Sequence, residues 1–317
     1  MKKILGMVLA LSLVLMGIPA LADDVYEVGI CQLLQHDALD AATLGFKDAL
    51  TEKLGDKVKF DEQNASGEAV NCATIVNQFV SNDVDLIMAN ATPALLAAAQ
   101  ATGDIPVLAT SITTYPVALE MDSETFPGYT GFNVSGTSDL APLDQQAAMI
   151  KELFPEAKTA ALLYCSAEPN SLYQVLEMTK FLAGLGIEAK EFAFSDSNDI
   201  AAVAQMAIEC DVIYIPTDNT AAAYTETIAN VVIPAGVPVI AGEEGICKGC
   251  GVATLTISYY DIGYATGLMA YDILVNGADV STMPIQYAPE FVKKYNPVNV
   301  AALNLPVPEG YEAIVME

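Results

Sequence analysis

The chain has 317 residues and no arginine; its thirteen formally basic side chains are all lysine. A planar guanidinium is the usual two-point clamp for a carboxylate, so an anionic group on any ligand has to be met by lysine, hydroxyls, amides or helix N-termini. Histidine is nearly absent too, with His36 alone. No G-x-S-x-G nucleophile elbow occurs, so a Ser-His-Asp hydrolase would have to be built around that one imidazole. Positive charge is scarce overall: the formal net charge is -27, which argues against nucleic acid or anionic lipid as a partner and suits a soluble surface. Long apolar runs are missing after the first one, so a spanning anchor further along the chain is not expected.

That first run, Ile4 to Ile18, follows Lys2 and Lys3 and leads into Ala20-Leu21-Ala22. The pattern is that of a secretory leader over residues 1–22. Loss of its two lysines would take the mature chain to about -29. Cys31 is the cysteine nearest the expected cut and lies inside the first strand, so no lipid-anchor cysteine stands at that position. An exported, periplasmic or extracytoplasmic, freely diffusing monomer is expected. About 295 residues remain, enough for two domains of ordinary size.

One βα pattern is written twice. Glu27–Cys31 and Thr159–Cys165 each read as a strand followed by a loop and a helix, over 40–54 in the first copy and 171–185 in the second. Asp85–Met88 is matched by Asp211–Tyr214, and Ile105–Leu108 by Val237–Ile240. Strands that are apolar throughout and separated by helices indicate parallel sheets covered on both faces. The fold class expected is therefore α/β, with two Rossmann-like lobes, a multi-crossover hinge and a ligand cleft between them. The first lobe is read as 23–133 with about 255–280, the second as 134–254 with about 281–317, joined by the stretch 128–134. Ligands of open parallel sheets sit beyond the carboxyl ends of the strands, so functional residues are sought in the strand-to-helix loops.

In chain order, Gln35-His36-Asp37-Ala38-Leu39-Asp40, Asn64-Ala65-Ser66-Gly67, Ala91-Thr92-Pro93, Glu168-Pro169-Asn170-Ser171, Ile215-Pro216-Thr217-Asp218-Asn219-Thr220 and Tyr259-Tyr260-Asp261-Ile262-Gly263 resemble the ABC-transporter substrate-binding proteins of the tryptophan/tyrosine transport type. The similarity runs through the whole mature chain. It implies a periplasmic-binding-protein-like type I fold with three interlobe crossovers, and delivery of solute to a membrane permease and its ATPase. The chain departs from the family pattern twice. Thr114-Tyr115-Pro116 stands where Thr-Asp-Pro is expected, exchanging a cleft acid for a phenol, and Cys250 replaces a glycine in Cys247-Lys248-Gly249-Cys250.

The candidate ligand-binding residues are Gln35, His36, Asp40, Thr92, Thr113, Tyr115, Glu168, Asn170, Ser171, Asp218, Asn219 and Glu243. Asn170-Ser171 and Asp218-Asn219 open helices, where side-chain oxygens and free N–H groups either bind a ligand carboxylate or cap the helix. An ammonium acceptor is sought among Asp218, Glu168 and Glu243, with Asp218 first. Tyr115, and behind it Tyr164 and Tyr214, are candidates to stack on an aromatic ring. His36 either donates to a ligand or stiffens its turn. One histidine with no cysteine beside it falls short of the three or four ligands a zinc site takes, and no metal or other cofactor is expected. Cys247 and Cys250 read as a local disulfide or as free thiols.

The function expected is non-enzymatic: binding a small molecule, an aromatic amino acid such as tryptophan, tyrosine or phenylalanine, in the interlobe cleft and passing it to an ABC permease. A ligand sensor of the same fold, normally joined to a signalling module, is one rival. An exported α/β enzyme, favoured only by a carboxylate-rich cleft, is the other.

Overall fold

Short apolar runs alternating with amphipathic segments build two α/β lobes in the computed structural model, which describes residues 25–316. The leader expected over 1–22 lies outside the described residues. The first pass comprises β1 (Tyr26–Gln32), α1 (Asp37–Leu54), β2 (Val58–Asn64), α2 (Ala69–Ser81), β3 (Leu86–Asn90), α3 (Thr92–Ala101), β4 (Val107–Ile112), the single turn α4 (Tyr115–Ala118) and β5 (Val134–Ser138). After α5 (Leu143–Leu153) the pattern recurs as β6 (Thr159–Cys165), α6 (Pro169–Gly184), β7 (Glu188–Phe194), α7 (Ile200–Ala207), β8 (Val212–Ile215), α8 (Asn219–Ala223), α9 (Thr225–Ala235), β9 (Val239–Ala241), α10 (Glu244–Gly249) and β10 (Ala253–Thr256). The chain closes with α11 (Tyr259–Asn276), β11 (Gln286–Tyr287), β12 (Val292–Tyr295), α12 (Pro297–Ala302) and β13 (Glu312–Ala313).

The first sheet has strand order β11-β5-β4-β3-β1-β2 and the second β13-β12-β10-β9-β8-β6-β7. All pairings are parallel except β10 with β12. Buried side chains on alternate faces of β1 and β3 feed two separate cores, Cys31, Ile87 and Ala89 on one side and Val28, Ile30, Leu86 and Met88 on the other. Both faces are therefore covered, as an all-apolar parallel strand requires.

The chain crosses between sheets three times, after Ser138, after Thr256 and after Tyr287. This corrects the sequence reading in two places. The stretch 128–134 does not join the lobes, because Val134–Ser138 pairs with β4 in the first sheet. The tail from 281 onward is not wholly in the second lobe, because Gln286 and Tyr287 pair with Thr137 and Ser138 of the first.

Helix α11 returns to the first lobe and packs along α1. Glycines set the approach: a Cβ on Gly45 would run into the Tyr260 carbonyl, one on Gly263 into that of Ala42, and one on Gly267 into that of Phe46. Small residues at these points let two backbones come together, and the contact anchors the start of α11, with Tyr259, at the cleft.

Cys247 and Cys250 are both free and fully buried in the second-lobe core. The Cys250 thiol donates to the Ile246 carbonyl at 3.4 Å. The disulfide alternative is therefore set aside: Cys247 in α10 and Cys250 just after it both enter the same apolar core.

Candidate functional site

The carboxyl ends of both sheets face each other across a cleft, and their loops close around a cavity of about 10 Å³. Its wall takes His36, Thr113, Asn170, Asp218, Asn219 and Glu243 from the sequence-predicted set, and adds Leu39, Ser111, Asp139, Thr217, Ala222 and Tyr259. Across the cleft the lobes touch through His36 Nε2 to Asn219 Oδ1 at 3.3 Å, Thr113 Oγ1 to Thr217 Oγ1 at 3.5 Å, and Gln174 Nε2 to Thr113 Oγ1 at 3.5 Å. An ion pair between Lys248 and Asp37 spans 3.2 Å at the surface. Hydrogen bonds this long are weak, and an exposed ion pair contributes less than about 1 kcal/mol. Protein–protein contacts alone give the closed cleft little support.

The second-lobe wall is a network of caps. Asp218 precedes α8 and accepts from the amides of Ala221 at 2.8 Å and Cys165 at 2.6 Å, and from the Ser171 hydroxyl at 2.7 Å. Glu168 accepts from the Asn219 amide and side chain and from both donors of Thr220, at 2.7 to 3.0 Å. Glu243 caps α10, accepting from Gly245 N at 2.6 Å and from Ile246 N. Burial and the negative charge of Glu168 push Asp218 above the usual carboxylate range, and burial raises Glu243 to about 7. Backbone donors oppose both shifts. Ser171 is buried behind Asp218, and Glu168 is committed to the start of α8, so these two support the wall and do not form it.

The first-lobe wall is different in kind. Ser111 lies where the β4–β5 register shifts, in a left-handed conformation with φ of 57°. Strain of this sort in a non-glycine residue is retained at sites that use it. Asp139 directly follows β5 and is buried. One of its oxygens, Oδ2, accepts from the Tyr259 hydroxyl at 2.8 Å, and burial lifts its carboxyl to about 6. The His36 imidazole is pushed downward by burial, against the pull of Asn219 and nearby acids.

Buried polar atoms normally find partners. Among the described residues the exceptions are His36 Nδ1, Asn90 Oδ1, Ser111 Oγ, Asp139 Oδ1, Asn170 Oδ1 and Thr254 Oγ1. Four of those residues, His36, Ser111, Asp139 and Asn170, line this same interlobe cavity. Unpaired groups gathered from two lobes on one enclosed space are what a polar ligand would satisfy.

Several predicted residues are placed elsewhere. Gln35 and Asp40 line a separate hollow beside β2, where Asp40 accepts from Gln32 Nε2 at 2.6 Å. Thr92 is buried at the start of α3. Tyr115 does not reach the cavity: its hydroxyl donates to the Ala109 carbonyl at 2.8 Å beneath β4 and β5. Tyr214 bonds Gln146 at 2.6 Å in the core, and Tyr164 bonds Glu191 at 2.9 Å. None of the three tyrosines is available to stack on a ligand. Asp139 and Tyr259 line the cavity that Tyr115 does not reach. Both lie just beyond a strand end where the chain crosses between lobes, Asp139 between β5 and α5 and Tyr259 at the start of α11; an acid placed between a strand and Pro142 was the available signal. No group of three or more metal-ligating side chains that could hold an ion is found among the described residues.

Fold and site together define a two-lobed cleft protein built to enclose a small polar molecule. The chain belongs to the ABC transporter substrate binding protein family, whose model matches residues 27–310. It is 35% identical over 263 residues to a tyrosine-binding protein of Clostridioides difficile (strain R20291), covering 82% of this chain and 75% of that one. Among solved structures it is similar to an ABC domain in complex with L-Trp from Streptococcus pneumoniae, with a TM-score of 0.87 and 31% identity over 92% of this chain and all of that one. A ligand-free, open substrate binding protein with adhesive properties from Clostridium difficile gives a TM-score of 0.69 at 33% identity, over 92% and 100% of the two chains. The lower score with an open form accords with the closed cleft here. A leucine binding protein of Thermotoga maritima, at 16% identity, TM-score 0.61 and 80% and 83% coverage, shares the type I fold. No helix among the described residues is long and apolar enough to cross a membrane.

Proposed function

We propose that this chain binds one aromatic amino acid, of the tryptophan, tyrosine and phenylalanine class, in the interlobe cavity and delivers it, outside the cytoplasm, to the permease of an ABC importer. The observation that carries the reading is the set of unpaired buried polar atoms from both lobes on a single cavity. Leu39, Ala222 and the ring of Tyr259 supply an apolar wall beside them, the mixed lining expected of a small-molecule site. The weak direct contact between lobes supports a ligand as the element that holds them closed. The tyrosine-binding relative and the tryptophan complex point to the aromatic class. Gentle purification followed by mass spectrometry of the released small molecule tests the assignment. Tyrosine, tryptophan or phenylalanine is expected; a sugar or a metal chelate would contradict it.

A further inference from the structure

We infer that Gln146 is a positioning residue for ligand binding: without lining the cavity, its side-chain amide fixes the second-lobe wall at Glu243 to the two main-chain crossings of the hinge. The inference rests on the reading that the interlobe cavity is the binding site, and adds to it a residue that lies behind that cavity.

Gln146 stands in the first turn of α5, the helix that receives the chain after the first crossing, and is only 1% exposed. Its Nε2 donates to the Leu255 carbonyl at 3.0 Å and to the Gly242 carbonyl at 3.2 Å. Its Oε1 accepts from the Tyr214 hydroxyl at 2.6 Å. Both amide hydrogens are used on groups that only accept, so the side chain cannot be turned over. At a buried position a leucine would avoid the desolvation that an amide incurs; a buried amide with every hydrogen bonded specifies one arrangement of the elements around it.

The two carbonyls mark where that arrangement matters. Pairing of β9 with β10 ends at Ala241 and Thr254, and Gly242 and Leu255 are the next residues on the two strands. The amide of Gln146 bridges them where the ladder stops. Leu255 leads into the second crossing. Gly242 leads into Glu243, which lines the cavity and caps α10. The Gly242 amide donates to the Ile215 carbonyl at 2.7 Å, and a Cβ here would strike Pro216 and Thr217, so the same backbone is seated against the loop that carries Asp218. On the first-lobe side the two crossings are joined again, by the Tyr259 hydroxyl on Asp139 at 2.8 Å and by the Thr137 and Thr266 hydroxyls at 2.9 Å. Between these ties the first crossing spans 140–145 and the second 256–258. Gln146 is the side chain that closes the second-lobe end of this frame, and loss of its amide frees the Glu243 wall from the hinge.

The test combines calorimetry with tyrosine, tryptophan and phenylalanine and hydrogen exchange of the ligand-free protein, on the wild type, Gln146→Met, Gln146→Glu and Ile150→Ala. Methionine keeps the volume and removes the amide; glutamate keeps the shape and turns an acceptor toward the two carbonyls. Ile150, buried one turn further along α5, is the control for lost stability alone. All are compared at a temperature where each is folded, and either Gln146 variant that folds decides. Affinity for an amino acid that the wild type binds should fall about tenfold or more, with faster exchange at 242–246 and 255–259. Ile150→Ala should lower the denaturation midpoint with neither change. Wild-type affinity in a Gln146 variant, or exchange at those segments no faster than in Ile150→Ala, overturns the inference; failure of both Gln146 variants to fold also overturns it, by making the role structural. If the wild type binds none of the three amino acids, the aromatic assignment falls, and the exchange comparison still decides for or against Gln146.

Discussion

The Tyr259 hydroxyl donates to Asp139 Oδ2 at 2.8 Å across 120 positions of sequence. The two residues lie in two of the three crossings between the lobes, so an acid facing the cavity is held by the hinge itself.

That relationship gives a pH dependence. The free carboxyl of Asp139 sits at about 6 because of burial, with the Tyr259 bond pulling it down. The ammonium of an amino acid bound in this cavity lowers it further, so affinity should be constant above about pH 6 and fall up to tenfold per unit below it. Glu243, Asp218, His36 and Tyr259 share the cavity, and Asp139→Asn isolates the contribution of Asp139 by flattening the profile. Tyr259→Phe should move the fall to higher pH. Calorimetry from pH 5 to 8 checks this, and an unchanged profile in both variants would contradict it.

With its cleft closed as here, the protein should lose stability as pH rises. Asp139 at about 6 and Glu243 at about 7 both lie above their ordinary values, so the folded state holds protons that the unfolded chain releases. Their contribution is full below about pH 4 and lost as pH passes through 6 to 7. Urea denaturation should give a higher midpoint at pH 5 than at pH 8; the reverse order would show that these carboxyls do not dominate.

Asp218→Ala separates support from ligand contact. Three donors converge on this carboxylate, and stranding them costs about 2 to 4 kcal/mol of stability. Denaturation should register that loss. If stability is unchanged while affinity collapses, Asp218 is a ligand acceptor and its cap role is minor.

Gly263→Val tests how α11 is seated. Its Cβ would meet the Ala42 carbonyl, and overpacking of this kind costs about 1 to 3 kcal/mol. Because α11 begins at Tyr259, ligand affinity should fall along with the melting temperature. A variant with wild-type affinity would uncouple the helix pair from the cleft.

The two-lobed architecture was legible because parallel strands buried on both faces, such as Leu86–Asn90 and Val212–Ile215, read as apolar runs closed by helix starts. The same logic led to His36, Thr113, Asn170, Asp218, Asn219 and Glu243, all beyond strand ends. It did not reach Asp139 and Tyr259, since crossing segments carry no repeat signature and their meeting depends on how the hinge folds. It misplaced Tyr115, whose direction is set by the β4–β5 pairing and by Gly136, where a side chain would strike the Ala109 carbonyl. Which atoms of a polar network are left unpaired is a tertiary property that spacing does not encode.

The most direct measurement is calorimetric titration of ligand-free protein with tyrosine, tryptophan and phenylalanine. Saturable binding of at least one of them, at one site per chain, is the predicted result, with about 2.7 kcal/mol of added stability at a hundredfold excess over Kd. Absence of binding by all three, with tight binding of a solute that carries no ammonium group, would contradict the account.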